Sequence, residues 1–466
     1  MAVVAVLHAA LGGAGPASAD GPAVGADIHL AQTMAGRDLT VIVRRTDRPP
    51  APLRVDVVTH AGSPAGRLAL RASTAGETVS STTIDLGASP GFHAATLRVD
   101  RTGPWELALD DGTQVATIPF VVPAAVRPPW ENAVYGGFVV AGALLLIALG
   151  LAAFGRVGAA LAPAGGTVAG LAVAVTAAVL SSTIVPPSPP GTLLDPTVAN
   201  VNDPYRQPPS VDFSRPPVNL TTRTAGRDLH LRLTDGATGR PVDDLLVHHH
   251  AFLHLVVVSP SGGMRHLHPV RVAPGDYRAR LDPSEAGVHA VTAELARRGG
   301  GVQHVRSAVH VSAHPSAVRT GAAQAGSAGC RRIATASATT ASASCTLSKE
   351  IRPAGTASTI TADFGSPTLQ PWLGMLGHMI VVGPVDGTTT PVTAPIWAHV
   401  HAMLPQPSAA RDAPDESIAS FGPQIRFTYT FPLPGRYLAW VQAARGYSVI
   451  TVPTVVEVPA AGGGQG

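Results

Sequence analysis

Two stretches without a charged residue interrupt this chain of 466 residues: Val134–Phe154 (VYGGFVVAGALLLIALGLAAF) and Ala164–Val185 (AGGTVAGLAVAVTAAVLSSTIV). Each approaches the ~20 apolar residues that cross ~30 Å of hydrocarbon. Soluble helices of that length keep a polar face, so both are expected to be transmembrane helices, at 134–154 and 164–185. Trp130 and Tyr135 stand where an interfacial aromatic belt would lie. Small residues in the second run suit helix packing in lipid. The intervening loop, Gly155 to Pro163, carries one charge, Arg156, which the positive-inside rule assigns to the cytoplasm. The remainder then lies on the extracytoplasmic side of a cell membrane.

The N-terminus points the same way. Residues 1–19 end in Ala17-Ser18-Ala19, a small-x-small cleavage pattern, although no Lys or Arg precedes the apolar stretch. A signal peptide is the expected reading; an uncleaved apolar tail is the alternative. Cys330 and Cys345 fall on the outer side, where a disulfide is expected.

Outside the two runs the pattern is that of strands. Pro (43) and Gly (49) are abundant without a collagen-like period, and 45% of residues are hydrophobic. Alternating apolar residues, turn signals every ~8–12 positions and segments near 100 residues indicate antiparallel β-sandwiches of immunoglobulin-like type. AGRDL occurs at 35–39 and again at 225–229, and AGTASTITADF at 354–364 is a looser third version. The expected fold is all-β, with three immunoglobulin-like β-sandwich modules and a two-helix transmembrane hairpin between the first and second. Module one spans 20–125, module two 217–313 and module three 344–459. A Pro-rich linker (186–216), an Ala/Ser/Thr-rich linker (314–343) and a disordered tail (460–466) complete the chain.

Fourteen of the 18 histidines follow residue 200, and they repeat. Module two reads LLVHHHAFLHLVVVSPSGGMRHLHP; module three reads LQPWLGMLGHMIVVGP, then APIWAHVHAM. Aligning strands matches His254 with His378, and His266 and His268 with His399 and His401. Alternate strand residues share a face. Met264, His266 and His268 therefore share one, and His399, His401 and Met403 another, with His254 and His378 reaching over from the neighbouring strand. Of six methionines, Met264, Met375, Met379 and Met403 lie within three residues of these histidines. Imidazole with thioether is a copper ligand set, especially for Cu(I). The expected metal ligands are His254, Met264, His266, His268, His378, His399, His401 and Met403, and the expected cofactor is a copper ion. The plain alternative is a half-exposed polar strand face with methionines filling the core. His248–His250 read as a solvated loop, Asp243 and Asp244 as the only nearby acids, His289 as the structural counterpart of Tyr437, and His304, His310 and His314 as surface residues.

On the residues Gly377-His378 with the following Val-Val, His399-x-His401 and Pro434-Gly435-Arg436-Tyr437, modules two and three resemble secreted YtkA-like domains of bacteria. The resemblance covers 217–313 and 344–459 and implies small immunoglobulin-like sandwiches associated with copper handling. Module two departs from it: Leu253 stands in place of the glycine and AGVH in place of PGRY, so it reads as a degenerate copy. Module one with the following helices is similar to copper-resistance domains of the CopC type. Those carriers use an N-terminal histidine, whereas the expected mature end here is Asp20-Gly21-Pro22. His29, His60 and His93 have no partner spacing, and module one reads as structural.

The expected function is a membrane-anchored extracytoplasmic metal-binding protein that handles copper. Its partners would be the membrane and a copper transporter or copper-receiving envelope protein. The alternative is a structural or partner-docking protein of the cell envelope. A net charge of +3 with scattered arginines argues against nucleic acid. No phosphate loop, GxSxG, HExxH or paired catalytic carboxylates are present, so no enzyme activity is expected.

Overall fold

Period-2 patterning builds the β part. In Asp228–Asp235, Leu229, Leu231 and Leu233 are buried, while His230 and Arg232 between them are not. The computed structural model describes residues 27–44, 46, 48–122, 129–181, 215–281, 285–312, 331–332, 345–365, 368–402 and 419–461. The expected signal peptide, almost all of the Pro-rich linker, Cys330, His314 and Met403 lie outside these residues.

The chain divides into two compact units, residues 1–121 with 194–466, and residues 122–193. The first unit holds three two-sheet antiparallel sandwiches. Module one pairs Ile28–Met34, Arg37–Val43, Ala51–Thr59 and Gly91–Val99 in one sheet, and Glu77–Leu86, Gly66–Thr74, Gly103–Asp110 and Val115–Val122 in the other. Module two has a four-stranded sheet (Val270–Ala273, Asp276–Arg280, Asp228–Asp235, Val218–Ala225). Its second sheet runs Leu245–Leu246, Gly287–Arg297, His254–Val258, Met264–Leu267, with Gly301–Val311 also on Gly287–Arg297. Module three sets Thr346–Glu350, Ala357–Asp363 and Gln424–Thr430 against Ser448–Val458, Gly435–Arg445, Gly377–Gly383 and Ile396–Ala402. Arg331–Arg332, within the segment read as linker, add a two-residue edge strand opposite Thr451 and Ile450. Cys345 is disulfide-bonded.

The modules touch. Val256, Val258 and Met264 of module two pack with Ile380, Val382 and Trp440 of module three in one apolar cluster. Arg271 holds Asp243 through two 2.7 Å bonds and reaches Glu106 of module one at 3.2 Å. Arg297 takes Asp244 and Asp235. Both acids near the histidines are thereby committed to arginines.

The second unit is an apolar helical hairpin, Pro129–Ala153 and Val157–Leu180, each long and apolar enough to cross a membrane. Its boundaries differ from those expected. The connection is only Phe154-Gly155-Arg156: the Gly155 amide bonds the Ala152 carbonyl and the Arg156 amide the Leu151 carbonyl, a Schellman closure. The second helix therefore begins at Val157, not Ala164, and absorbs Pro163, which the sequence places in the loop. The helices meet through small residues. A Cβ on Gly137 would lie 2.7 Å from the Gly170 carbonyl oxygen. Val139 (70% exposed) and Leu146 (71%) face outward, the disposition of a helix that meets lipid.

Candidate metal centre

Modules two and three position their histidines identically. In module two the His254 strand lies between the Met264 and Gly287 strands; in module three the Gly377 strand lies between the Ile396 and Gly435 strands. Val256 faces His266 across one ladder and Ile380 faces His399 across the other. On the opposite side His254 pairs with Glu294, and His378 with Gln442. Each expected trio is brought together. His254, His266 and His268 offer ligand atoms within 4.8 Å of one another, as do His378, His399 and His401. The trios also meet: the His399 ring lies 5.2 Å from His254 and 5.1 Å from His266.

Hydrogen bonds fix the tautomers, because an acceptor-only partner forces the facing nitrogen to carry the proton. His254 Nε2 donates to the His248 carbonyl at 2.9 Å, and His378 Nε2 to the Trp372 carbonyl at 3.0 Å. Nδ1 of each is left as a lone pair. His266 Nδ1 donates to Gln442 Oε1 at 2.9 Å, and the same amide donates to Thr451 Oγ1 at 2.9 Å. His399 Nδ1 donates to Glu294 Oε2 at 3.0 Å. Where both rings are neutral, their Nε2 atoms are then lone pairs as well. The consequence is that unprotonated nitrogens face each other, His254 Nδ1 to His266 Nε2 at 3.3 Å and His378 Nδ1 to His399 Nε2 at 2.9 Å. His268 Nε2 and His401 Nε2 are buried without a hydrogen-bond partner. Two lone pairs at hydrogen-bonding distance repel unless a cation lies between them.

Burial keeps protons away. Desolvation, reinforced by neighbouring imidazoles, pushes His254, His268 and His378 well below the usual range, His266 down to about 3 and His401 to about 2. Burial acts to raise the Glu294 carboxyl, but bonds from His248 and His399 outweigh it and hold it ionised. Three inward imidazole nitrogens per module thus form a donor set that can take a metal ion in place of protons, held by partners of the kind that orient metal-bound histidines.

Met264 does not join its trio, and Met403 lies outside the described residues. Met264 shares the face of His266 but is packed in the apolar seam between the modules. Its positional counterpart is Trp397, not Met403: Met264 and Trp397 each precede the first His of their His-x-His pair by two residues. Met379 lies in the core of module three, because neighbours along a strand alternate faces. The thioethers are therefore not a repeated ligand.

Several contributors were not anticipated. Glu294 and Gln442 cross the seam, each fixing a histidine of the other module. His248 and His249 are buried at 5% and 7% exposure rather than solvated. Their turn is folded under the site, and His249 lies 4.0 Å from the His401 ring. His304 is exposed as expected, yet its Nε2 is 3.6 Å from Glu294. Module one also takes part. The Thr33 amide bonds the His268 carbonyl at 2.7 Å, and Thr33 Oγ1 accepts from the His268 amide at 2.9 Å. His60 joins His266, His268 and Trp372 in lining a small open cleft.

Residues 338–460 match a family model described as a domain of unknown function, DUF8832. No curated protein matches the chain. A tetra-tandem repeat from the extending region of a large adhesion protein is similar over 91% of this chain and 74% of that one, at 10% identity and a TM-score of 0.16. A Salmonella alpha-2-macroglobulin is similar over 94% of this chain, which spans only 24% of it, at 11% identity and a TM-score of 0.17. Invasin, a bacterial integrin-binding protein, is similar over 90% and 60%, at 11% identity and a TM-score of 0.16. At such scores these likenesses add nothing to what the strand pairing shows.

Proposed function

We propose that this is a membrane-anchored extracytoplasmic protein that binds copper at two three-imidazole sites, one in each of modules two and three, facing each other across a shared seam. The observation that carries this reading is the locked tautomer pattern. In the neutral rings of His254, His266, His378 and His399 the hydrogen-bond partners all hold the outer nitrogen and turn the facing lone pairs inward. An incidental polar surface would leave its imidazoles hydrated and free to turn. The YtkA-like resemblance and the imidazole-only donor set favour copper, which binds nitrogen ligands above the other divalent first-row ions. The disulfide at Cys345 and the apolar hairpin favour an oxidising compartment beside a membrane. Partners would be proteins that deliver or receive copper.

The test is copper retention by the detergent-purified full chain against a competing chelator, beside a variant with His266, His268, His399 and His401 replaced by Ala. Binding lost in the variant is the expected result. Equal behaviour of the two proteins would leave the sandwiches as docking modules of the envelope.

A further inference from the structure

A third set of donors adjoins the two trios. His248, His249 and Glu294 are all buried and offer ligand atoms within 4.8 Å of one another. Glu294 is surrounded by imidazoles among the described residues: His248 and His399 at 3.0 Å, His304 at 3.6 Å and His249 at 4.0 Å. A buried carboxylate is costly without a positive partner, and a metal cation beside it offsets that cost.

The backbone supplies a second observation. His249 and His250 are the central residues of a two-residue turn closed by paired bonds between His248 and Ala251, both at positive φ (+46° and +57°). Left-handed backbone is strained for a residue with a side chain. Module three makes the same turn with Leu373 and Gly374 at its centre, closed between Trp372 and Met375. Strain of this kind concentrates at functional sites, and here it turns His249 toward His401.

The difference between the copies is concerted. The module-three counterparts of His248, His249 and Glu294 are Trp372, Leu373 and Gln442, so an anion and two imidazoles in one copy replace three groups with no such donor in the other. We propose that His248, His249 and Glu294 hold a third metal ion, making the seam between modules two and three a three-metal centre. This rests on the metal reading above. Two imidazoles and a carboxylate suit a divalent ion, Cu(II) or Zn(II). Glu294 binds through Oε1 while Oε2 keeps its bond from His399 Nδ1, which ties the third position to the module-three trio. Module two, a degenerate copy by sequence, is then the copy that carries the additional site.

The experiment counts metal. The full chain in detergent is stripped, dialysed against buffered Cu(II) and assayed for copper per chain. Three ions are expected for the parent, and two for Glu294→Gln, whose amide can still accept from His399 as Gln442 does from His266. Two are also expected for His249→Leu, which places the Leu373 side chain at the matching left-handed position. A parent holding two, or variants still holding three, would overturn the third position and leave the paired sites standing. A parent holding none would overturn both.

Discussion

At the scale of single residues, the proposed metal sites depend on groups that would not touch the ion. Gln442 fixes His266 from the opposite module and is itself fixed by Thr451. Losing such an orienting partner typically costs 10–100-fold in metal affinity. Gln442→Ala should therefore weaken one of the two trios by about that factor without changing the number of ions bound, as read by chelator competition. Acid should act on the metal-free protein in a definite direction. His266 is pushed to about 3 and His401 to about 2 from an ordinary 6.5. Below pH ~6.5 the unfolded chain binds protons that the folded chain refuses, so stability falls with pH until the folded values are reached. Thermal melts of the metal-free chain should drop steadily from about pH 6.5 to 3, and a flat profile would contradict the buried, neutral cluster. The histidines themselves were legible because period 2 fixes which of them share a face. Glu294 and Gln442 were not: each is one buried polar residue in a largely apolar strand, and only the alignment of GVHAVTAELAR with GRYLAWVQAAR sets them side by side.

Elements carry the next set of consequences. Arg271 joins module two to module one through Asp243 and Glu106, with only 8% of its side chain exposed. Removing one partner of a buried ion pair costs about 3–5 kcal/mol. Arg271→Ala should lower the melting temperature sharply, whereas Arg232→Ala, at a half-exposed pair with Asp276, should change stability by less than about 1 kcal/mol. In the helical hairpin, Gly137→Val would drive a side chain into the Gly170 backbone and should loosen the pair, seen as earlier loss of helical signal on heating in detergent. The strands and both helices were readable from alternation and from the charge-free runs. The start of the second helix was not, because Pro163 reads as a break, while the true turn is the three residues directly after Ala153, closed by hydrogen bonds at Gly155 and Arg156.

For the whole molecule, the two histidine trios meet only because modules dock. Sequence spacing assembles a trio within each sandwich, but it says nothing about which faces meet. The apolar stripe of Val256, Val258 and Met264 against Ile380 and Trp440 brings the trios together, and module one closes one side through Thr33 and His60. Methionine near histidine suggested thioether ligands, and packing assigned Met264 to that stripe instead. The most direct test is X-ray absorption at the copper edge of the copper-loaded full chain. Copper held by the imidazoles should show a first shell of nitrogen or oxygen only, with the outer-shell scattering of imidazole rings and a signal abolished when His266, His268, His399 and His401 are replaced by Ala. A sulfur shell, or an unchanged spectrum in that variant, would contradict it.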